Sequence, residues 1–215
     1  MIVKFNRAQD VIDSMKQNVN YPIKNVLILG TDKNIGFERN LFDFSKIENV
    51  TIIEWADANI KSVNKFGLKN VKVIKGMVQD FEKLTGSVDF DYVCLIEILE
   101  HLTKSDGLKL LDNLKKHSKN ILIYSPVQPK LRDAEETKNQ LITLGRLDIS
   151  VKPDLECIQN KLKENNDVLS THLSLWKPDE LEDIGFKTYF DIDYNQRRRK
   201  GLRGWGAFVA VYKRK

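Results

Sequence analysis

A glycine-marked turn is the first feature of the chain that could hold a ligand. The stretch "VLILGTDKNIGF" is typical of a buried strand, a turn from Gly30 to Gly36, and a helix. A glycine after an apolar strand lets the backbone approach a ligand closely, and the helix that follows presents unpaired N–H groups. The turn lacks the three closely spaced glycines of the usual dinucleotide fingerprint, so it predicts a binding loop without naming the ligand.

Acidic side chains and a histidine follow two other apolar runs. Glu54 ends the run "TIIE", where a carboxylate can accept both hydrogens of a vicinal diol. Glu97, Glu100 and His101 follow the run "YVCLI". Because imidazole titrates near neutral pH, His101 is a candidate general base, and Glu97 is the acid that directly ends the strand. These residues are candidates for a site that binds hydroxyl groups and transfers a proton, with an ordinary strand-end carboxylate as the alternative for Glu54.

Two more groups of polar and aromatic side chains lie later in the chain. His172 and Trp176 share the stretch "THLSLW", with a capping role for His172 at a helix start as the alternative. From Lys187 onward nine Lys and Arg stand against two Asp, which makes this segment +7 and leaves −2 for the rest of the chain. Such a segment indicates an anionic partner such as nucleic acid, phosphate or a phosphorylated glycan, or alternatively a solvated surface hairpin. Its candidate contacts are Arg197, Arg198, Arg199 and Trp205.

The elements that position these residues alternate between apolar strands and helix-like segments, the pattern of an α/β fold with a mostly parallel sheet. Most strand runs are continuous Val, Ile and Leu, as expected when both faces of a sheet are covered. The predicted strands span residues 25–30, 50–55, 71–74, 92–96 and 120–125. The predicted helices span residues 8–17, 37–44, 57–66 and 105–117, with a short turn at 79–84.

The helix at residues 105–117 shows both a cap and an apolar face. Ser105 is its predicted N-cap, because a serine hydroxyl can accept from the first free N–H groups of a helix. Leu108, Leu111 and Leu114 fall at three-residue steps. This spacing predicts that the three leucines lie on the face that packs against the sheet.

The chain after residue 126 breaks the alternation of strands and helices. Residues 129–170 are polar with helical patches, which predicts a helical insertion over the carboxyl edge of the sheet. This insertion is a candidate lid, with an inert helical decoration as the alternative. A helix then lies between Pro178 and Gly185, followed by strands at residues 187–193 and 207–213 that form an antiparallel hairpin with a basic loop at 194–206. We therefore predict a single domain over residues 1–215.

Length and composition agree with one globular domain. The 215 residues are 41% hydrophobic and 30% charged, which suffices for one core. Cys94 and Cys157 are far apart with no second pair, which predicts two reduced thiols and neither a metal site nor a disulfide. No secretory signal or membrane span is visible, so we expect a cytoplasmic protein that does not contact a membrane. The sequence predicts no particular oligomeric state.

The order of these motifs resembles that of the class I S-adenosylmethionine-dependent methyltransferases. The resemblance runs from residue 25 to residue 213 through "VLILG", "TIIEWADANI", "VKVIKGMVQDF", "FDYVCLIEILEHL", "NILIYSPV" and "HLSLWKPDELEDIGF". The insertion at 129–170 and the basic loop at 194–206 are not covered by this resemblance. The strongest piece, residues 90–102, is similar to the small-molecule and glycan branches of the family. The resemblance implies a Rossmann-like, seven-stranded, mostly parallel sheet with helices on both faces and an antiparallel last hairpin strand, with the donor bound across the carboxyl ends of the first four strands.

The resemblance also assigns donor contacts. It implies that Gly30 begins the loop around the amino-acid end of S-adenosylmethionine and that Glu54 holds the ribose hydroxyls. Trp55, the next residue, is a candidate to stack on the adenine, with packing at the edge of the sheet as the alternative. The full set of implied donor contacts is Gly30, Thr31, Asp32, Gly36, Glu54, Trp55, Met77, Val78 and Glu97.

The donor loop departs from the family pattern at several places. Ile28 stands where the family commonly has an acid, and Asp32 and Asn34 stand where further glycines would follow. Met77 stands where an acid often recognises the adenine amino group. Asp32 is a candidate replacement for the missing carboxylate, and the backbone beside Met77 and Val78 can still hydrogen-bond adenine.

The implied reaction is methyl transfer to a hydroxyl, carboxyl or amine of a small molecule or glycan. Because a sulfonium donor is already activated, such a protein mainly aligns the acceptor and removes a proton. The catalytic candidates are His101, Glu97 and His172, and the candidate acceptor contacts are Trp176, Arg197, Arg198, Arg199 and Trp205. The alternative is a catalytically eroded methyltransferase-like protein that binds an anionic ligand such as RNA through its basic loop.

Two other enzyme classes do not fit the sequence. Short-chain dehydrogenases need a Tyr with a Lys four residues later, and no Tyr in this chain has that partner. Enzymes that methylate the exocyclic amino groups of bases carry an Asn/Asp-Pro-Pro-aromatic motif after the fourth strand, where this chain has "IEILEH".

Overall fold

The computed structural model describes residues 12–13, 15–31, 35–127, 174, 176–190 and 206–214. These residues form one seven-stranded sheet in the order β3-β2-β1-β4-β5-β7-β6. The first five strands pair in parallel, and β7 pairs antiparallel with both β5 and β6. The strands are β1 (Ile23–Leu29), β2 (Ile47–Glu54), β3 (Val71–Lys75), β4 (Phe90–Ile96), β5 (Ser118–Val127), β6 (Lys187–Phe190) and β7 (Gly206–Lys213).

Helices of five to 14 residues lie between the strands. The described helices are α1 (Gly36–Leu41), α2 (Asp57–Asn64), α3 (Phe81–Thr85), α4 (Lys104–His117) and α5 (Pro178–Asp183). Three single 3₁₀ turns lie at Phe44–Lys46, Val78–Asp80 and Leu99–His101. The predicted α/β class, the mostly parallel sheet and the antiparallel last strand are all confirmed.

Both faces of the sheet are covered, as the continuous apolar runs predict. Successive residues of a strand point to opposite faces. In β1, Val26 and Ile28 belong to one core cluster, whereas Leu27 and Leu29 belong to the other. All four are fully buried, so β1 is a central strand with no solvent face. The buried thiol of Cys94 in β4 joins the first cluster, and its burial raises its pKa.

Helix α4 corrects two details of the sequence interpretation. Its N-cap is Thr103, whose side chain accepts a hydrogen bond from the N–H of Asp106 at 3.1 Å, so the predicted cap at Ser105 is wrong. Leu108 is 41% exposed. The buried stripe follows the 3.6-residue helical repeat instead of three-residue steps, and it consists of Gly107, Leu110, Leu111 and Leu114.

The later part of the chain agrees with the predicted boundaries where it is described. Pro178 is the first residue of α5, and Gly185 follows its end with a φ of 92°. The predicted insertion at 129–170 lies outside the described residues. So does the basic loop at 194–206, apart from Gly206 at the start of β7. Of the predicted N-terminal helix at residues 8–17, residues 12–13 and 15–17 are described; the first four of these are helical, and Gln17 lies in a turn.

Helix α4 packs against the stretch before α5 through a glycine and a tryptophan. The Trp176 side chain is 1% exposed, and its indole Nε1 donates to the Leu99 carbonyl oxygen at 3.0 Å. A Cβ atom built on Gly107 would lie 2.4 Å from Cζ2 of Trp176. Glycine is therefore required at this position because the indole ring occupies the space of a side chain.

We expect Gly107→Ala to destabilise the protein although alanine is the better helix former. The helix preference favours alanine by about 1 kcal/mol, whereas the clash with Trp176 costs about 1–3 kcal/mol, so we expect a net loss of up to about 2 kcal/mol. Urea unfolding would measure the net loss, with Leu108→Ala on the exposed face of the same helix as the control. A Gly107→Ala protein as stable as the wild type would contradict this packing.

Candidate functional site

The carboxyl ends of the parallel strands bring the candidate donor residues to one edge of the sheet. Leu29, the last residue of β1, pairs with Ile53 on one side and with Leu95 on the other. The next residues along these strands are Gly30, Glu54 and Ile96. The order of strands reverses between β1 and β4, and open α/β sheets bind ligands at such a switch point.

The carboxylate of Glu54 is buried and ties two loops together. One oxygen, Oε2, accepts from the Thr31 N–H at 2.9 Å, and the other, Oε1, accepts from the Ala56 N–H at 2.7 Å. The side chain of Asn59 also donates to the Thr31 carbonyl oxygen at 2.8 Å. Because each carboxylate oxygen has two lone pairs, Glu54 can still accept hydrogen bonds from a ligand.

Gly30 occupies a position that only glycine fills easily. Its φ is 71°, and its N–H donates to the Ile53 carbonyl oxygen at 2.8 Å. A Cβ atom at this position would lie 2.2 Å from Cδ1 of Ile98. The Ile98 side chain, from the segment after β4, therefore covers the glycine and packs the segments after β1 and β4 against each other.

The segments after β2 and β3 carry the remaining candidate contacts of the methyl donor. The Gly76 N–H donates to the Glu54 carbonyl oxygen at 3.1 Å, which holds the segment after β3 beside the end of β2. Trp55, Met77 and Val78 follow these strands and are each half-buried. Gly36, a further candidate, is the first residue of α1 and is also half-buried.

The segment after β4 carries the candidate catalytic residues Glu97 and His101. Glu97 is exposed and has a φ of 54°, a left-handed conformation that non-glycine residues adopt at a cost of about 1–3 kcal/mol. Its N–H donates to the Tyr124 carbonyl oxygen at 2.9 Å. His101 is half-buried in the 3₁₀ turn that follows, and its N–H donates to the Ile98 carbonyl oxygen at 3.0 Å.

Glu100 is a buried acid that the sequence interpretation did not include among the site residues. Its side chain is 2% exposed, and its Oε2 accepts from the Ser125 hydroxyl at 3.1 Å. Its Oε1 has no hydrogen-bond partner among the described residues. Burial raises the pKa of Glu100 to about 8, and the nearby charge of Glu97 adds to this rise. At neutral pH Glu100 therefore holds a proton.

The stretch before α5 packs on this same turn. Ser174 donates from its N–H to the Glu100 carbonyl oxygen at 3.2 Å and from its hydroxyl to the Leu99 carbonyl oxygen at 3.1 Å. The Lys104 ammonium lies 3.9 Å from the centroid of the Trp176 ring. Trp176, expected at the acceptor, is thus a buried packing residue, since its ring is enclosed by Lys104 and α4.

Several candidates cannot be placed. Asp32 of the donor loop, His172, and the basic-loop candidates Arg197, Arg198, Arg199 and Trp205 lie outside the described residues.

A cleft of about 620 Å³ lies at the opposite edge of the sheet. Its lining includes Tyr21 before β1, Phe42 before β2 and Leu68 before β3. These residues precede their strands, so the cleft belongs to the amino edge and is separate from the candidate donor site. Within the described ranges, no group of His, Cys, Asp and Glu side chains is arranged to hold a metal ion. A helix long and apolar enough to cross a membrane is likewise not found in them.

The comparisons with known proteins bear on the fold. No protein-family model and no curated protein sequence matches the chain. Among solved structures, a SAM-dependent methyltransferase from Archaeoglobus fulgidus matches with a TM-score of 0.56 and 17% identity, covering 97% of this chain and 95% of that chain. The DhpI-SAM-HEP complex matches with a TM-score of 0.54 and 11% identity, covering 96% and 88%.

A third solved structure is the N-methyltransferase NodS from Bradyrhizobium japonicum WM9 in complex with S-adenosyl-L-homocysteine. It matches with a TM-score of 0.52 and 10% identity, covering 95% of this chain and 84% of that chain. At these identities the likeness concerns the fold, and it agrees with the strand order described above. The chain has the Rossmann-like fold of class I methyltransferases.

We expect the stability of the protein to fall between about pH 4.5 and pH 8 because of Glu100. In this range the folded state keeps a proton that the carboxyl of the unfolded chain, with its ordinary value of 4.5, releases. Folding is then opposed as pH rises, and the full effect is on the order of a few kcal/mol. In Glu100→Gln, which keeps the shape but cannot ionise, this part of the pH dependence should disappear.

Thermal unfolding of both proteins across this pH range would measure the difference, with the exposed Glu48→Gln as the control. If the wild type and Glu100→Gln lose stability in parallel as pH rises, Glu100 is not protonated in the folded protein.

Proposed function

We propose that the chain is an S-adenosylmethionine-dependent methyltransferase that acts on a hydroxyl, carboxyl or amine of a small molecule or glycan. The observation that carries the proposal is the buried Glu54 carboxylate at the end of β2, held beside Gly30 and Thr31 at the switch point of the sheet. A carboxylate fixed in this way can accept both hydroxyl hydrogens of a ribose. The neighbouring folds include proteins solved with S-adenosylmethionine or S-adenosylhomocysteine.

The residues at the edge fit such a donor. Glu54 would hold the ribose, and the backbone of Gly30 and Thr31 would lie beside the amino-acid end. The half-buried Met77 and Val78 offer backbone groups and apolar surface for the adenine. When bound, S-adenosylmethionine supplies a methyl group on a sulfonium that is already activated for displacement.

The chemistry left to the protein is alignment of the acceptor and removal of its proton. Glu97 precedes the 3₁₀ turn after β4 and His101 ends it, and both follow the strand that adjoins the switch point. A carboxylate and an imidazole at this place can take a proton from a hydroxyl or an ammonium group. In the proposal His172 and the basic loop with Arg197 extend the acceptor site, and the basic loop suits an acceptor that carries negative charge.

We expect Glu54→Ala to weaken binding of S-adenosylmethionine and S-adenosylhomocysteine by at least about 10–100-fold. The loss follows because hydrogen bonds to a charged group are each worth about 1.5–3 kcal/mol. Isothermal titration calorimetry would measure both ligands on both proteins. Glu48→Ala is the matched control, because Glu48 is an exposed glutamate in the same strand, near its opposite end.

The control should bind as the wild type does. Absence of binding by the wild type at millimolar ligand would refute the proposal, and the chain would then be studied as a methyltransferase-like binding protein. Equal binding by Glu54→Ala and the wild type would remove Glu54 from the donor site.

A further inference from the structure

The proposed function does not use the cleft at the amino edge of the sheet. The volume of this cleft, about 620 Å³, lies within the range of roughly 300–1,000 Å³ that is typical of sites for small molecules. Leu41, Phe42 and Phe44 line the cleft and are buried, and the half-buried Val19 and Leu68 add to its apolar surface. The cleft can therefore enclose the apolar part of a small ligand.

Two cations at the cleft are not neutralised by the described part of the chain. Lys16 and Arg39 line the cleft, are exposed, and form no ion pair with another described residue. Asp43 also lines the cleft, but its Oδ1 accepts from the Ser45 N–H at 3.2 Å and its Oδ2 lies 3.0 Å from the Lys46 ammonium. Because Lys46 offsets the charge of Asp43, the cleft has a surplus of two positive charges.

The guanidinium of Arg39 is held against an aromatic ring. Its central carbon lies 4.9 Å from the centroid of the Phe66 ring, which is 38% exposed. Such a contact restrains the planar guanidinium and leaves the N–H groups at its edge available. Two of these N–H groups can bind two oxygens of one phosphate or carboxylate group. Because Arg39 is already restrained, less side-chain entropy is lost when an anion binds.

An exposed aromatic ring is also part of the cleft wall. Tyr21 lines the cleft and is 41% exposed. Its hydroxyl oxygen accepts from the Asp43 N–H at 2.7 Å, and the Lys46 ammonium lies 5.8 Å from its ring centroid. These contacts restrain the ring from both ends of the side chain's neighbourhood, so that its exposed surface can stack on a planar group of a ligand.

Charge and apolar surface together narrow the class of ligand. Two unpaired cations complement a dianion better than a monoanion. A phosphate monoester carries a charge of about −1.5 to −2 at neutral pH, whereas a carboxylate carries a single negative charge. The apolar surface and the Tyr21 ring suit a planar body attached to that phosphate. A nucleoside monophosphate combines these features in a molecule of suitable size.

We propose that the amino-edge cleft is a second binding site, which takes a small phosphate monoester with a planar body, of the nucleoside monophosphate class. Arg39 and Lys16 bind the phosphate, and Tyr21 stacks on the base. This site does not depend on S-adenosylmethionine, because the cleft lies at the edge opposite to Glu54.

The first experiment varies the ligand on the wild-type protein. Calorimetry would compare uridine monophosphate with its two parts, uridine and inorganic phosphate. Each part keeps only one set of contacts, so we expect uridine monophosphate to bind at least about 10-fold more tightly than either part. Added salt should weaken its binding, because the phosphate contacts are exposed to solvent.

The second experiment removes the charges one at a time. Arg39→Gln and Lys16→Gln should each weaken binding of uridine monophosphate by about 3–10-fold, the size expected for charges that are exposed. Both residues are exposed, so the two variants should unfold thermally as the wild type does. The matched control is Lys109→Gln, which removes the same charge from an exposed position in α4 and should leave binding unchanged.

The outcomes distinguish this cleft from other places where a nucleotide could bind. Loss of affinity in Arg39→Gln and Lys16→Gln, with Lys109→Gln and Glu54→Ala unaffected, supports the proposal. Binding that Glu54→Ala abolishes and Arg39→Gln leaves unchanged would put the nucleotide at the donor edge and overturn it. Equal binding of inorganic phosphate and uridine monophosphate would show an adventitious ion only. Equal binding of uridine, or no binding of uridine monophosphate at millimolar concentration, would likewise overturn the proposal.

Discussion

The carboxyl edge of the sheet depends on one buried carboxylate. Glu54 accepts the N–H groups of Thr31 and Ala56, and its own carbonyl oxygen accepts the N–H of Gly76. One residue thereby sets the segments after β1, β2 and β3. A charge with this little exposure is tolerated only when hydrogen bonds replace its water, so these bonds serve folding as well as any ligand. A diol would join the existing pair of donors and need not displace them.

The segment after β4, on the other side of the switch point, carries one buried and one exposed acid. Glu100 is neutral at physiological pH and is bonded to Ser125, whereas Glu97, three residues earlier, is exposed in a left-handed conformation. The two acids after β4 therefore differ, since burial removes the charge of Glu100, whereas Glu97 is exposed. The effect is to keep a second negative charge out of the interior while leaving a carboxylate at the surface of the edge.

The fold could be predicted because its signal is repeated in most strands, as continuous apolar runs that are typical of a sheet covered on both faces. Details that depend on the folded geometry, or on contacts between residues far apart in the sequence, could not be predicted. Thr103 and Ser105 are both hydroxyl residues near the start of α4, and only the backbone geometry decides which one caps it. Gln79 and Glu100 are polar residues that a sequence pattern places at the surface, yet polar atoms of both side chains are buried. The contact between Trp176 and Gly107 could not be predicted either, because the two residues are far apart in the sequence.

Residues 128–173 lie between two places at which the chain is attached to the carboxyl edge of the sheet. The chain leaves the sheet from β5, whose last residue Val127 pairs with Gly206, and the chain is fastened again at Ser174 on the turn after β4. Both attachments belong to the carboxyl edge of the sheet. The entropy of closing a long loop grows only with the logarithm of its length, by about 0.6 kcal/mol for each doubling. A change in the number of residues between these two attachments therefore changes the entropy of chain closure by little, and the strands that carry the attachments need not change.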